Sequence, residues 1–517
     1  MREEGTELQK KYLTRCDEKN QDFQVSQFTF VIFGGAGDLS LRKIIPALYT
    51  LWSSEILLPP FSILGLGRRD IPRETYQARV KEALKTFASE SFDASRADDF
   101  AESLHYLSMD VHDRDAYPIL RKKIQLLDDS VQDPLFYLSV PPEVLPVIVE
   151  NMHDTGFVKN YPRSKIIVEK PFGTNRESSI KLNKLLLKAF KEKQIYRIDH
   201  YLGKETVQNI LFFRFGNSIF EPLWNRRYVD HVQIMVAESI GIEGRGNFYE
   251  QSGIVRDIVQ NHLLQLLALV AMEPPVGFEA DLIRNEKLKV YQTIRPMDDS
   301  YIKQNIIRGQ YAAGTVHGKP VIAYRKENGV AADSMTSTYF AGRFMLDNWR
   351  WANVPFYLRT AKNMPRRLSE IYIQFKQPPL RLFGRTCDQI EPNGLIFSIQ
   401  PDEEISIRLS VKRPGMANLP DTRQMTFDYE ESFELKQHTA YERLLLDSLR
   451  GDLTLFARHD EIEAMWGVVD PIIQYYETHQ PEDFPNYKAG SWGPDSSEKL
   501  IKRDGRAWRF SEEHPKR

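Results

Sequence analysis

The chain has 517 residues and a formal net charge of −2, because 69 Lys and Arg stand against 71 Asp and Glu. This length exceeds a single typical core, so we expect two domains. The balanced charge argues against a nucleic-acid or anionic-membrane partner, and any anion site has to be a local cluster. Only two cysteines are present, Cys16 and Cys387, which excludes a disulfide framework and fits a reducing cytosol.

Residues 1–25 are predicted to form a flexible N-terminal arm. They include six acidic residues, so they lack both the apolar core of a signal peptide and the acid-poor composition of a transit peptide. The most apolar stretch, residues 263–272, has about half the length that a bilayer requires. We therefore expect a soluble, cytoplasmic protein.

Residues 26–199 are predicted to form an α/β domain of the Rossmann type, with a doubly wound parallel sheet. Short apolar runs alternate there with amphipathic stretches, which is typical of βαβ units. The runs are apolar on both faces, as a sheet covered by helices requires. The predicted strands are 28–33, 61–64, 104–107, 135–140, 165–168 and 195–199, and helical stripes cover 76–87 and 180–189.

Residues 200–517 are predicted to form an α+β domain with a large, mainly antiparallel sheet. Apolar and polar residues alternate within residues 231–236, and similar half-polar runs recur at 371–375 and 405–409, which favours half-buried antiparallel strands. Helices are expected at 254–272, 441–449 and 460–476.

A glycine-rich motif follows the first predicted strand and precedes an amphipathic stretch. In it, Gly34 would form the tight turn, Gly37 would leave room for a pyrophosphate, and Ser40 would make a small contact between helix and strand. This position favours a dinucleotide site over a purely structural turn. A Walker loop is excluded because no Gly-Lys-Ser/Thr follows at the required spacing.

Two further sites carry cations at the ends of predicted strands. Arg68 and Arg69 stand where NAD-binding folds usually place an acidic residue, which suits the 2′-phosphate of NADP, with a solvated arginine pair as the alternative. Lys170 precedes Pro171, which fixes the chain and would aim the lysine into the ligand crevice. A solvated lysine in a turn is the alternative there.

Residues 197–205 combine two cations, a histidine, two carboxylates and a glycine directly after a predicted strand. Gly203 would let the chain turn, so that His200 and Lys204 lie near a helix N-terminus, where backbone N–H groups and the dipole attract anions. This predicts a phosphorylated ligand. An ordinary turn with solvated charges is the alternative.

A predicted buried helix carries Asp257, Asn261 and His262, with His262 lying roughly 100° round from Asn261 at 3.6 residues per turn. Set beside Asp199, His262 becomes a candidate base, because an imidazole oriented by a carboxylate can take a hydroxyl proton while hydride leaves for a nicotinamide. A lone histidine on an apolar helix is more often a core residue. The sequence spacing does not show that Asp199 and His262 meet.

These motifs, in this order from residue 28 to the C-terminus, resemble those of the glucose-6-phosphate dehydrogenase family. The resemblance implies NADP-dependent oxidation of glucose 6-phosphate at C1 to 6-phosphogluconolactone, the first oxidative step of the pentose phosphate pathway, without a metal. Some members also accept NAD. By this resemblance His262 is the catalytic base and Asp199 its orienting partner.

The resemblance also implies the ligand contacts. Lys362 and Arg367, which would otherwise be interpreted as surface charges, match basic substrate contacts of the family, and Glu238 and Asp257 match carboxylates that bond sugar hydroxyls. The implied cofactor contacts are Gly34, Gly35, Ala36, Gly37, Asp38, Leu39, Ser40, Lys43, Arg68 and Lys170. The implied substrate contacts are Lys170, His200, Tyr201, Lys204, Glu238, Asp257, Lys362 and Arg367.

The sequence also departs from part of the family. Leu368 and Ser398 stand where vertebrate members place basic residues around a second, structural NADP, so we do not expect that site here. Residues 489–494 resemble the bacterial branch. Family members form dimers and tetramers, which predicts a homo-oligomer.

Two alternative functions remain open at this point. One is a dehydrogenase of a related sugar or sugar phosphate, or one that works with NAD. The other is a non-catalytic sensor of NADP or sugar phosphate on the same scaffold. A sensor would have no use for a general base, so the presence of both His262 and Asp199 argues against it.

Overall fold

A computed structural model describes residues 24–127, 133–380, 391–416, 419–432 and 438–511. Residues 1–23 of the predicted arm, Cys16 and Cys387 lie outside the described residues. The chain divides into two compact units. The first comprises Met1–Phe172, Lys181–Gly203 and His438–Ala457, and the second comprises Gly173–Ile180, Lys204–Gln437 and Arg458–Arg517.

The first unit contains a six-stranded sheet in which every strand pair is parallel. Its strands are β1 (Phe28–Phe33), β2 (Phe61–Gly67), β3 (Leu104–Ser108), β4 (Leu135–Leu138), β5 (Lys165–Val168) and β6 (Ile195–Arg197). They lie in the order β3-β2-β1-β4-β5-β6, which confirms the predicted doubly wound, Rossmann-type sheet. β4 and β6 are each two residues shorter than predicted, because the chain leaves the sheet there for the loops at its carboxyl edge.

Helices connect these strands. They are α1 (Ile45–Ser53), α2 (Arg73–Phe87), α3 (Ala94–Glu102), α4 (Ala116–Leu127), α5 (Leu145–Asp154) and α6 (Arg176–Ala189), with short 3₁₀ helices at Val158–Asn160 and Glu192–Gln194. In α2, Tyr76, Val80 and Leu84 are buried as the helical stripe predicts. Phe87, at the end of α2, is instead 43% exposed and lies under the Arg42 guanidinium.

The second unit is built on an eight-stranded sheet. Its strands are β7 (Val229–Ala237), β8 (Ile306–Gly309), β12 (Tyr339–Met345), β13 (Pro355–Ala361), β14 (Leu368–Phe375), β15 (Gly394–Gln400), β16 (Glu404–Lys412) and β17 (Pro420–Asp428). Their order is β17-β16-β15-β14-β7-β13-β12-β8, and only β7 and β13 pair in parallel. The predicted large, mainly antiparallel sheet is confirmed. Two small sheets use β9 (Tyr311–Ala312), β10 (Gly314–Val316), β11 (Lys319–Val321) and β18 (Tyr487–Lys488).

The polar face of β7 is buried, although its alternating pattern predicts a half-buried strand. The C-terminal segment covers this face: the Gln233 side-chain amide donates to the Ala507 carbonyl at 2.9 Å, and the Arg509 backbone N–H donates to Gln233 Oε1 at 2.9 Å. The polar residues of β7 therefore pair with a distant stretch of chain rather than with water.

Further helices follow residue 203. They are α7 (Glu205–Gly216), α8 (Gly246–Ile254), α9 (Leu264–Ala271), α10 (Ala280–Thr293), α11 (Asp299–Asn305), α12 (Tyr429–Ser432), α13 (Ala440–Arg450, in the first unit), α14 (His459–Thr478) and α15 (Asp495–Lys502). Short 3₁₀ helices lie at Glu221–Leu223 and Tyr324–Lys326.

The predicted helix 254–272 is not one regular α-helix. Gly253, near the end of α8, has the non-helical dihedrals φ 58° and ψ 176°, and Val255–Leu263 then forms a π-helix that continues into α9. The whole run Gly246–Ala271 is long and apolar enough to span a membrane by composition, but 89% of its most apolar window is buried inside the protein. The break and the burial are those of a core segment.

Buried side chains fix the end of α9. The last carbonyls of a helix have no partner within it; here the Trp224 and Trp351 indole N–H groups donate to the Val270 and Ala271 carbonyls, each at 2.8 Å. The Arg214 guanidinium donates to the Leu269 and Met272 carbonyls. The helical segment that contains His262 is thus anchored at its C-terminal end.

A buried ion pair joins α10 to α14. Lys287 Nζ lies 3.0 Å from Glu461 Oε1, and the two side chains are 2% and 0% exposed. Glu461 also accepts a hydrogen bond from the Arg458 backbone N–H at 2.8 Å, at the start of α14. Because α14 packs against the π-helix, this pair supports the segment that carries His262.

We expect Glu461→Gln to lower the melting temperature by roughly 5 °C or more, because it keeps the bond to Arg458 but leaves the Lys287 ammonium buried without a counter-charge. The double variant Lys287→Met/Glu461→Gln, which removes that ammonium, should recover part of the loss. Differential scanning calorimetry measures both. A Glu461→Gln protein that melts like the wild type would contradict the importance of this pair.

Candidate active site

The glycine-rich turn of the first unit is held by close backbone contacts. Gly34 has φ 84°, and a Cβ there would lie 2.1 Å from the Ser139 carbonyl oxygen after β4. A Cβ on Gly35 would lie 2.4 Å from Gly65 Cα in β2. The N–H groups of Gly34 and Gly35 both donate to the Leu66 carbonyl at 2.9 Å. The turn therefore lies against both strands that flank β1.

The chain then enters a helical segment. Gly37 N–H and Ser40 Oγ both donate to the Gly34 carbonyl at 2.9 Å, and Ser40 is fully buried. A π-helical turn, Ser40–Ile44, leads into α1. Ala36 lies in the turn, Leu39 is already helical, and the Asp38 and Lys43 side chains are exposed. Strand order reverses at β1 and β4, and dinucleotides bind sheets of this kind at such a point.

Arg68 follows β2 directly and is exposed, and its carbonyl accepts a hydrogen bond at 3.3 Å from Ser108 Oγ, at the end of the neighbouring strand β3. An arginine at the end of the second strand of such a sheet can reach the ribose of a dinucleotide.

Glu169 anchors the end of β5 beside Lys170, a role that sequence reasoning missed. Its Oε1 accepts hydrogen bonds from the Tyr137 hydroxyl at 2.5 Å and from the Tyr441 hydroxyl at 3.1 Å. Burial raises the pKa of Glu169. The Lys170–Pro171 peptide bond is cis. Tyr441 lies almost three hundred residues away along the chain, so no local pattern indicated this anchor.

Asp199, His200 and Tyr201 form a tight turn after β6. Asp199 is 3% exposed, its Oδ1 accepts from the Tyr201 N–H at 3.0 Å, and its carbonyl accepts from the Leu202 N–H at 3.0 Å. The His200 and Tyr201 rings lie 5.2 Å apart. The backbone thus fixes the carboxylate of Asp199.

Two residues of the same stretch have structural roles that the sequence did not indicate. Arg197 is fully buried and pairs with Glu192 at 2.7 Å, so it supports the fold. Gly203 does not have a positive φ. It is required for close approach, since a Cβ there would lie 2.6 Å from the Ala440 carbonyl oxygen at the start of α13.

In the second unit, the ends of two parallel strands bring Glu238 and Lys362 together. β7 and β13 are in register, with Ala237 opposite Ala361, and the Glu238 N–H donates to the Ala361 carbonyl at 3.0 Å. The residues that follow these strands are therefore neighbours. Lys362 Nζ contacts Glu238 Oε2 and lies 3.2 Å from Asp257 Oδ2.

This cluster has one ammonium and two carboxylates, so its net charge is negative. Burial opposes charging of Lys362, but the carboxylates of Asp257 and Glu238 outweigh burial and raise the pKa of Lys362. The side chains of Glu238 and Asp257 are 25% and 18% exposed, whereas that of Lys362 is 5% exposed. A small polar ligand can reach the carboxylates from solvent.

Asp257 and His262 lie on the π-helix. His262 is fully buried, and the Asn261 side chain fixes the backbone around it: Oδ1 accepts from the His262 N–H at 2.6 Å, and Nδ2 donates to the Asp257 carbonyl at 3.0 Å. The projection from 3.6 residues per turn was wrong here, because a π-helix bonds i to i+5 and has a different pitch. Such segments occur frequently at functional sites.

Two cations of the second unit share one neutral acceptor. Lys204, at the N-cap of α7, donates to Gln400 Oε1 at 2.7 Å, and the Arg367 guanidinium donates to the same oxygen at 3.0 Å. Gln400 Nε2 donates to Ser369 Oγ at 2.7 Å, which fixes the amide. Two cations and a helix N-terminus in one place are suited to a phosphate group. Sequence reasoning missed Gln400, because a glutamine at a strand end carries no signal.

Burial and the neighbouring Arg367 lower the pKa of Lys204 to about 8, against the opposing effect of Glu403. The ammonium of Lys204 therefore loses its proton at about pH 8.

Within each unit, the structure assembles most of the residues that the sequence predicted. The first unit holds the glycine turn at the carboxyl edge of its sheet and places Asp199, His200 and Tyr201 in one turn. The second unit joins Glu238, Asp257 and Lys362 in one cluster, and Lys204 and Arg367 in another. A doubly wound parallel sheet with a glycine turn, and a second unit with acidic and cationic clusters, are typical of nicotinamide-dependent oxidoreductases.

Comparisons with known proteins identify the family. The model of the glucose-6-phosphate dehydrogenase NAD-binding domain matches residues 31–209, and that of the C-terminal domain matches residues 211–509. The glucose-6-phosphate 1-dehydrogenase of Aggregatibacter actinomycetemcomitans is 44% identical, covering 93% of this chain and 96% of the relative. That of Bacillus subtilis is 40% identical, covering 94% and 99%.

Solved structures agree. A glucose-6-phosphate dehydrogenase in complex with its substrate glucose-6-phosphate superposes with a TM-score of 0.85 at 33% identity, covering 94% of this chain and 98% of that one. The enzyme from Mycobacterium avium gives a TM-score of 0.78 at 37% identity, covering 94% and 99%. The chain belongs to the glucose-6-phosphate dehydrogenase family.

We expect affinity for inorganic phosphate to fall as the pH rises above about 8, by up to about tenfold per pH unit, because Lys204 loses its positive charge there. The sign follows from a lysine pKa that is lowered: the charged form is present below pH 8 and lost above it. Isothermal calorimetry between pH 7 and 9.5 measures the affinity.

Lys204→Gln is the matched control for this titration. It should bind phosphate more weakly at pH 7 and show little further change up to pH 9.5. A wild-type affinity that stays constant over this range would show that Lys204 is not the titrating contact.

Proposed function

We propose that this protein oxidises D-glucose 6-phosphate at C1 to 6-phospho-D-glucono-1,5-lactone, with hydride transfer to NADP⁺, as the first oxidative step of the pentose phosphate pathway. Membership of the glucose-6-phosphate dehydrogenase family supports the reaction. The observation that carries the substrate class is the convergence of Lys204 and Arg367 on the Gln400 amide oxygen, because a phosphate oxygen could take the place of that acceptor.

The sugar is recognised by hydrogen-bond acceptors and by hydrogen-bond donors. Glu238 and Asp257 accept hydrogen bonds from sugar hydroxyls, and Lys362 donates to them. His200, Tyr201, Lys204 and Arg367 bind the phosphate, and Lys170 contacts sugar and cofactor. These roles follow from the family resemblance, and the contacts within each unit are compatible with them.

His262 is the general base. Oxidation at C1 requires that the hydroxyl proton leave as the hydride departs, and an imidazole accepts that proton near neutral pH. Asp199, whose carboxylate is fixed by the backbone of its turn, orients the imidazole and stabilises its positive charge. The base is an imidazole, so the proposed reaction requires no metal ion.

NADP is the proposed cofactor, with NAD as an alternative. When bound, its nicotinamide accepts the hydride. The glycine turn at residues 34–40, with Lys43, binds the pyrophosphate. Glycine is required at 34 and 35 because a side chain at either position would collide with neighbouring backbone. Arg68 binds the 2′-phosphate that distinguishes NADP from NAD.

We further propose a cytoplasmic homodimer or homotetramer, with functional domains at residues 26–199 and 200–517. Relatives that match over nearly the whole chain are bacterial enzymes of this family, which supports a cytoplasmic location. The resemblance supports the oligomer.

Initial rates of NADP reduction test the function. We expect turnover with glucose 6-phosphate and little with unphosphorylated glucose, because the cations bind only the phosphorylated sugar. Replacing NADP by NAD in the same assay reports on Arg68. If NADP binds but no sugar is oxidised, the protein is a sensor on this scaffold and the proposed reaction is wrong.

Replacing His262 by Asn tests the base. We expect kcat to fall roughly 10²–10⁴-fold, because the hydroxyl proton loses its acceptor, while glucose 6-phosphate binding measured by calorimetry stays within about threefold. His231→Asn is a matched control, since His231 is also buried in the second unit but bonds Asp230. It should lower the melting temperature and leave kcat nearly unchanged. Retention of most activity in His262→Asn would contradict the assignment.

A further inference from the structure

Tyr249, on α8, lies beside the acidic cluster of the second unit. Its side chain is 3% exposed. Lys362 Nζ lies 5.4 Å from the centre of its ring, and the Tyr324 ring packs edge-on against it at 6.1 Å. Burial and the carboxylates of Asp257 and Glu238 raise the pKa of Tyr249 far above its ordinary value. The phenol therefore remains a neutral hydrogen-bond donor.

The Tyr249 hydroxyl has no hydrogen-bond partner among the residues that the structure describes. A buried hydroxyl without a partner costs stability, and such groups in folded proteins usually have a functional or solvent-related explanation. By contrast, the hydroxyl of neighbouring Tyr324 donates to Glu250 Oε1 at 2.6 Å. The two phenols of one aromatic cluster thus differ in whether they are satisfied.

The hydrogen-bonding capacity of the groups in the proposed sugar site indicates where the Tyr249 hydroxyl could donate. Asp257 and Glu238 only accept hydrogen bonds, and Lys362 only donates them. In the structure, Lys362 serves both carboxylates. A sugar hydroxyl both donates and accepts, so a sugar oxygen that displaces one of the two carboxylates from the Lys362 ammonium leaves that carboxylate without this donor.

We propose that Tyr249 is a positioning residue of the sugar site: when a bound sugar draws Lys362 away, the Tyr249 hydroxyl donates to Asp257 or Glu238 and holds that carboxylate in place for a sugar hydroxyl. The inference rests on the proposed function, because it concerns the substrate of the same site. It assigns to a residue outside the family's substrate motifs a role that appears only when the sugar is bound.

Tyr249→Phe tests the proposal through two effects of opposite sign. In the free protein it removes an unsatisfied polar group, so the melting temperature should stay equal or rise by about 1–3 °C. With glucose 6-phosphate, KM should rise roughly 3–10-fold while kcat changes less than about twofold. A purely structural role would lower the melting temperature, and that result overturns the proposal.

Tyr324→Phe is the matched control. It loses a satisfied hydrogen bond, so it should lower the melting temperature and leave KM for glucose 6-phosphate unchanged. If both variants change KM equally, the effect belongs to the aromatic cluster and the proposal for Tyr249 fails.

Deoxy sugar phosphates identify which sugar hydroxyl bonds the carboxylate that Tyr249 holds in place. With 2-deoxy-, 3-deoxy- and 4-deoxyglucose 6-phosphate, the ratio of wild-type to Tyr249→Phe kcat/KM should return to near one for the analogue that lacks the bonded hydroxyl. An equal ratio for all three analogues and the parent sugar overturns the proposal.

Calorimetric titration of the wild type with glucose 6-phosphate separates the two possible failures. A wild type that neither binds nor oxidises the sugar phosphate contradicts the proposed function and this inference together. A wild type that does both, with an unchanged KM in Tyr249→Phe, contradicts this inference alone.

Discussion

The parallel pairing of β7 with β13 is the constraint on which the cluster of Glu238, Asp257 and Lys362 depends. Every other pair in the eight-stranded sheet is antiparallel, so elsewhere a strand end meets a strand start. Here two strands end together, and the residues that follow them, Glu238 and Lys362, become neighbours. Asp257 completes the cluster from the π-helix. A buried lysine is stable there because two carboxylates outweigh its desolvation.

The helical segment with His262 is held from several sides. The non-helical dihedrals of Gly253 interrupt the helix before this segment. The indole groups of Trp224 and Trp351 and the guanidinium of Arg214 donate to the carbonyls at the end of the segment. The Lys287–Glu461 pair fixes helices that pack beside it. Apart from the break at Gly253, these are buried hydrogen bonds and one buried ion pair, and they favour one arrangement of the segment over others. Such rigidity suits the proposed role of His262 in proton transfer.

The local pattern of apolar and polar residues was sufficient to predict the class of fold. Runs apolar on both faces, alternating with helical stripes, predicted the doubly wound sheet, and half-polar runs predicted the mainly antiparallel one. The glycine motif and the stretch from Arg197 to Glu205 were found because unusual residue types cluster within a few positions. The roles of individual residues were harder to predict. Arg197 forms an ion pair in the core, and Gly203 is needed for close approach to α13.

The sequence by itself determined the two kinds of sheet, the position of the glycine turn and the family, because periodicity and short motifs are properties of neighbouring residues. Only the tertiary structure decided that Gln400 joins Lys204 to Arg367, that Tyr441 anchors Glu169, and that a π-helix carries His262. Those features depend on strand register and on contacts between residues far apart in the chain, and the free energy of such contacts is not expressed in any local pattern.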